Sequence, residues 1–175
     1  EKPIYSPIEI RDIETIQVKQ NQPFQLQHLT IKPIGLSHDA QKTTGYILES
    51  WQEKLVYITD TGYINIKYHD MLKNKELYIF ESNHDIEMLN NSKYPFHLRK
   101  RILSDKGHLS NYDSAKYLSD FIGENTKYVL LAHLSEESNT CELAYETLLN
   151  RLNLCNKHVD NIIVTEQDNE TELIE

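Results

Sequence analysis

The stretch YVLLAHLSEES, Tyr128–Ser138, holds an unbroken apolar run that stops at His133 and gives way to polar residues. A short apolar run bounded in this way reads as a buried strand, so a histidine is delivered where the strand ends. The same ending recurs upstream. PIGLSHD delivers His38 and Asp39, LVYITDTGY delivers Asp60, and LYIFESNHD delivers Glu81, His84 and Asp85. Between them, SDKGHLSN places His108 after Gly107 at a helix start.

The elements around these endings alternate in kind. Residues 24–37 alternate apolar and polar over Leu26 to Ile34 and predict a strand pair; TGYILES and KLVYITD predict two more, joined by a turn near Trp51 to Glu53. Asn65 to Leu72 reads as a short helix, and Pro95 opens another through Leu103. NYDSAKYLSDFI puts Tyr112, Ala115, Leu118 and Phe121 or Ile122 on one helical face, capped by Asn111 and ended by Gly123. A helix from Thr140 to about Leu152 follows, then a strand in DNIIVTEQD and an acidic tail, the C-terminal strand and tail starting from about residue 159. Residues 1–21 hold a short strand or two. Strands mixed with helices, some in hairpins and some separated by helices, define a layered α/β (α+β) protein.

Composition limits the function classes. A chain of 175 residues can build one domain with a core, and 39% hydrophobic with 26% charged residues is not the composition of a disordered chain. No apolar run has the length of a membrane span, and the first residues lack the pattern of a signal peptide. Cys141 and Cys155 fall on or near one helix, about 21 Å apart along its axis, too far for a disulfide unless the helix ends first. Free thiols fit a cytoplasmic protein. The net charge of −9 excludes strong non-specific binding of nucleic acid or membrane by the whole surface. One local exception is SKYPFHLRKRILSDK, with Lys93, Arg99, Lys100, Arg101 and Lys106, and His97 when protonated. As a stretch by itself it also reads as a solvated helix face.

Each strand-end residue has a structural explanation when taken singly, since rim histidines and turn aspartates are common. Together, imidazoles and carboxylates gathered at neighbouring strand ends are how a protein builds an N/O site for zinc, manganese or iron. A carboxylate can bridge two cations, and a divalent cation brings the pKa of its water toward neutrality. From spacing, a metal site and a scatter of rim residues both remain open.

The blocks GLSHDA, KLVYITDTGYI, LYIFESNHDIEML, YPFHLRKRILSDKGHLSN and YVLLAHLSEESN together resemble the metallo-β-lactamase-fold hydrolases, and within them the bacterial YycJ/WalJ type, from about Ile34 to Leu152. The resemblance implies an αββα sandwich with a one- or two-metal site at the sheet edges. It implies metal-ligand roles for His38, Asp60 and His133, with Asp60 bridging two divalent ions, Zn or Mn. His108 looks like the histidine of tRNase Z-like relatives that donates a proton or contacts phosphate, with Glu81 and His84 orienting it. Arg99, Lys100, Arg101 and Asn111 are the expected phosphate contacts, and DNA, cut from a 5′ end, is the implied substrate.

The family's HxHxDH signature is absent, since no two of the eight histidines are two residues apart. The sequence is therefore expected to be part of a longer protein, a partial metallo-β-lactamase domain over 1–175 whose N-terminal strands and HxHxDH loop lie elsewhere. By itself it is expected to bind metal weakly, to lack activity, and to expose apolar surface and an open sheet edge. Two other classes stay open: a thioester- or lactam-type hydrolase of the same fold, with no use for the basic stretch, and a non-catalytic binding module.

Overall fold

A computed structural model describes residues 2–171; the end of the acidic tail, 172–175, lies outside the described residues. Two short strands, β1 (Ile4–Ser6) and β2 (Thr15–Gln17), pair in parallel ahead of the main sheet. The main sheet is seven-stranded, and its strands lie side by side in chain order. Its first half is an antiparallel meander of β3 (Phe24–Leu26), β4 (Leu29–Gly35), β5 (Thr44–Glu49) and β6 (Lys54–Ile58). Its second half is parallel: β6, β7 (Leu77–Glu81), β8 (Tyr128–Ala132) and β9 (Asn161–Val164).

Parallel neighbours require crossover segments, and these are helical. A 3-10 turn (Ile66–Tyr68) and α1 (His69–Leu72) link β6 to β7. Then α2 (Ile86–Asn91), α3 (Phe96–Ile102) and α4 (Asn111–Phe121) link β7 to β8, and α5 (Cys141–Leu154) links β8 to β9. Side chains alternate across a strand, and one face of the sheet is the core face. Val56, Ile58, Tyr78, Phe80, Val129 and Leu131 pack there with Leu118 and Phe121 of α4 and Ala144, Leu148 and Leu152 of α5. The opposite face carries Leu55, Tyr57, Leu77, Ile79 and Tyr128, aligned across the ladder and only half-buried, with Tyr57 40% exposed.

Helix α4 is capped by Ser110, whose hydroxyl accepts from the Asp113 amide, and Asn111 is its first residue instead of its cap. Gly123 follows the Ile122 C-cap but does not adopt positive φ. A Cβ there would meet the Asn74 side chain, so close approach and not backbone handedness accounts for this glycine. Both cysteines are free, Cys141 opening α5 and Cys155 just beyond its end. No helix among the described residues is long and apolar enough to cross a membrane.

Candidate metal centre

The parallel strands β6, β7 and β8 point their C-terminal ends the same way, and that edge is where open α/β sheets gather their chemistry. Asp60 follows β6, Glu81 ends β7 and His133 follows β8. Asp60 and His133 both sit at φ of +60°, a left-handed conformation costly for residues with a Cβ. Such geometry persists where the surroundings over-determine it, commonly at functional sites. It turns each side chain sharply at the strand end, back over the sheet edge.

Glu81 is the hub. It is fully buried, and both of its oxygens are engaged. Oε1 accepts from the Asp60 amide at 3.2 Å and lies 2.8 Å from His108 Nδ1 and 2.7 Å from His133 Nδ1. Oε2 accepts from the amides of Thr61 and Leu109 at 3.0 and 3.1 Å. Burial alone would raise the carboxyl pKa, but the hydrogen bonds and charges of the two histidines outweigh it and hold it at about 2. An ionised carboxylate only accepts, so both histidines carry a proton on Nδ1 and turn Nε2 outward. The hydrogen bond to Glu81 also raises the His133 pKa, against the effect of burial.

His38 arrives from the β4–β5 loop and obeys the same rule. Its Nδ1 is 2.9 Å from the Gly107 carbonyl oxygen, which can only accept, so its Nε2 also faces the site. The Asp60 carboxylate lies among these nitrogens, 3.8 Å from His38 Nε2 and 3.6 Å from His133 Nε2. The His108 ring sits between the rings of His38 and His133, with centroids 4.8 and 5.2 Å away. Ligand atoms of Asp60, Glu81, His108 and His133 all lie within 4.8 Å of one another. Imidazole Nε2 atoms around a carboxylate, each backed by a fixed acceptor on Nδ1, suit a divalent ion.

Backbone contacts between loops hold this arrangement. The Gly62 amide donates to Ser37 O, and Asp39 N donates to Lys106 O. A Cβ on Gly107 would overlap the carbonyls of Ile102 and Arg101, and one on Gly62 would overlap the Ser104 and Asp105 backbone. Only glycine allows the loop before His108 to pack this closely. On the far side, Asn83 donates to the His133 carbonyl, and a buried ring of Ser82, Asn111 and Asn139 ties β7, α4 and the β8–α5 loop together.

The remaining candidates fall elsewhere. His84 is fully buried, and neither ring nitrogen has a hydrogen-bond partner among the described residues. Burial pushes its pKa down to about 4, so it is a neutral interior residue and orients nothing at the site. Asn111 is corrected as a substrate contact: it is buried and its amide is committed to Ser82 and Asn139. Arg101 lines the site's groove, but its guanidinium forms a two-pronged ion pair with Asp39, and the hydrogen bond holds Asp39 at about 2. Arg99 and Lys100 lie on the other side of α3, in a separate groove. The groove over the site holds about 750 Å³ and is lined by His38, Asp60, His108 and His133 with Tyr94 and Leu98. The Arg101–Asp39 pair and the Gly62 and Gly107 approaches carry no spacing signal in the sequence, whereas Asn83 and Asn139 sit inside the ESNHD and SEESN blocks.

The sequence profile of the beta-lactamase superfamily domain matches residues 2–133, and the chain belongs to that family. Among curated proteins, it is 42% identical over 116 residues to exodeoxyribonuclease YycJ of Bacillus anthracis, covering 66% of this chain and 44% of that protein. It is 40% identical over 124 residues to exodeoxyribonuclease WalJ of Streptococcus pneumoniae strain D39, covering 71% of this chain and 46% of that protein. The chain thus spans less than half the length of these relatives. The metallo-β-lactamase fold protein YhfI from Bacillus subtilis superposes with a TM-score of 0.61 at 17% identity, over 85% of this chain and 52% of that one. Zn(2+)-bound PqqB from Methylobacterium extorquens superposes with 0.55 at 12% identity, over 91% and 53%. These two likenesses concern the fold.

Proposed function

We propose that this chain carries part of the active site of a cytoplasmic, metal-dependent phosphodiesterase that removes nucleotides from DNA, the activity residing in the assembled sandwich and not in this segment alone. The observation that carries the reading is the shared Glu81 oxygen, which holds the Nδ1–H of both His108 and His133 beside the Asp60 carboxylate and leaves His133 Nε2 3.6 Å from Asp60. His38, Asp60 and His133 would hold the divalent ions, zinc or manganese, two in a complete site. Such ions supply neutralisation of charge on the scissile phosphate and a lowered pKa for the attacking water.

The other roles belong to the chain's own atoms. Glu81, saturated by five donors, is a positioning residue and not a ligand. With His108 Nδ1–H held by Glu81, Nε2 is the nitrogen left to exchange a proton, and the imidazolium formed when it takes one up can pass that proton to the leaving oxygen. Tyr94 and Leu98 line one wall of the groove and offer it an apolar side. DNA as substrate rests on the two exodeoxyribonuclease relatives.

The test is metal-dependent release of nucleotides from DNA by the longest open reading frame containing this chain. Asp60→Ala and His133→Ala are each expected to lower kcat/KM by at least a hundredfold. Unchanged nucleotide release in both variants would sink the reading. Turnover confined to thioester or lactam substrates would replace it with small-molecule hydrolysis on the same fold.

A further inference from the structure

Helix α3 separates two grooves. Leu98, Arg101 and Ile102 face the metal-site groove. Phe96, Arg99, Lys100 and Leu103, at the i, i+3, i+4, i+7 spacing of a single helical face, line a second groove of about 640 Å³ with Asn90 and Ser104. On that face Phe96 is 73% exposed and Leu103 47% exposed, which is unusual for large apolar side chains. Among the described residues no carboxylate lines this groove, in a chain whose net charge is −9. Arg99 donates through Nη1 to the Asn90 carbonyl, which pins the guanidinium across the groove and leaves its other donors available.

We propose that this outer face of α3 binds single-stranded nucleic acid, with an unpaired base stacked on Phe96 and the flanking phosphates on Arg99 and Lys100. An exposed aromatic ring among cations is the chemistry that binds an unpaired strand. A duplex hides its base faces and would leave Phe96 without a partner. The two grooves lie on opposite sides of one helix, about 10 Å across, so a strand crossing α3 reaches the metal site within a few nucleotides. The basic residues of this stretch therefore grip the strand away from the reacting phosphate, leaving Arg101 to its ion pair with Asp39. Coupling of this surface to strand cleavage rests on the phosphodiesterase reading; the binding itself does not.

The test is fluorescence anisotropy of a labelled oligothymidylate with the 175-residue chain in EDTA, where no cleavage occurs. Phe96→Ala is expected to weaken binding about tenfold, as loss of one base–aromatic stack does, and Phe96→Tyr to restore it. Arg99→Gln with Lys100→Gln is expected to weaken binding and reduce the salt slope by about 1.4, two single-strand phosphate contacts. Absence of binding by the unsubstituted chain, or equal affinity in Phe96→Ala, would overturn the proposal and leave the groove to a protein partner. Hydrolysis of bis(p-nitrophenyl) phosphate by the longest reading frame separates the two readings. Phe96→Ala should leave it unchanged while raising the KM for oligonucleotide. Normal oligonucleotide binding with neither substrate cleaved would sink the phosphodiesterase reading and keep this one.

Discussion

Glu81 concentrates the stability and the chemistry of the site in one buried carboxylate. Its pKa, held at about 2 against an ordinary 4.5, means the folded state takes up its proton later than the unfolded chain does. The stabilisation is complete above about pH 4.5 and is lost as pH falls toward 2. Glu81→Gln places an amide NH2 against donors that need an acceptor. It is expected to cost about 3 kcal/mol in urea unfolding and to weaken metal binding roughly 10- to 100-fold; a stable variant with unaltered metal affinity would show that the hub role is wrong. His84 behaves differently. Its folded pKa of about 4 lies below the ordinary 6.5, so the unfolded chain protonates first as pH falls and stability declines between 6.5 and 4. Neither of its ring nitrogens has a hydrogen-bond partner among the described residues, so His84→Leu should shift stability at pH 7 by less than about 1.5 kcal/mol and flatten that decline. An undiminished decline in the variant would assign it to other groups. From sequence, Glu81, His84 and His108 could be grouped, because they share blocks of one resemblance. Burial then separated them: among the described residues, five donors reach the Glu81 carboxylate and no partner reaches the His84 ring nitrogens.

Elements bring the site together through their ends. The apolar runs LVYI, LYIF and YVLLA were legible as strands because each is short, β-branched or aromatic, and stopped by polar residues. Their order in the sheet was not legible, because register and neighbours depend on tertiary pairing. What the sequence could least convey is the meeting of loops. His38 reaches Asp60 only because the β4–β5 loop packs on the turn holding Gly107, whose carbonyl accepts the hydrogen bond from His38 Nδ1–H. Gly107→Ala tests that junction. Its Cβ would overlap backbone carbonyls at the end of α3, and no flexible side chain can yield. The variant is expected to lose roughly 1–3 kcal/mol of stability and to displace both His38 and His108, with nucleotide release falling more steeply than the unfolding midpoint. Full activity at wild-type stability would mean the loop tolerates the added methyl group and does not position the histidines.

At the scale of the molecule, one sheet with helices packed on one face presents a candidate metal-site edge, a groove over it and a second groove behind α3. The other sheet face is apolar and half-buried, which is the face a second layer covers in a sandwich. The central claim is that His38, Asp60 and His133 are the ligands this chain offers, while Glu81 only positions. Anomalous diffraction at the zinc or manganese edge, from crystals grown with that ion, measures this directly. The account predicts a peak about 2.0–2.2 Å from the Nε2 of His38 or His133 and from an Asp60 oxygen, with both Glu81 oxygens still on their five donors. A peak seated on the Glu81 carboxylate, or an ion that avoids all three proposed ligands, would contradict it.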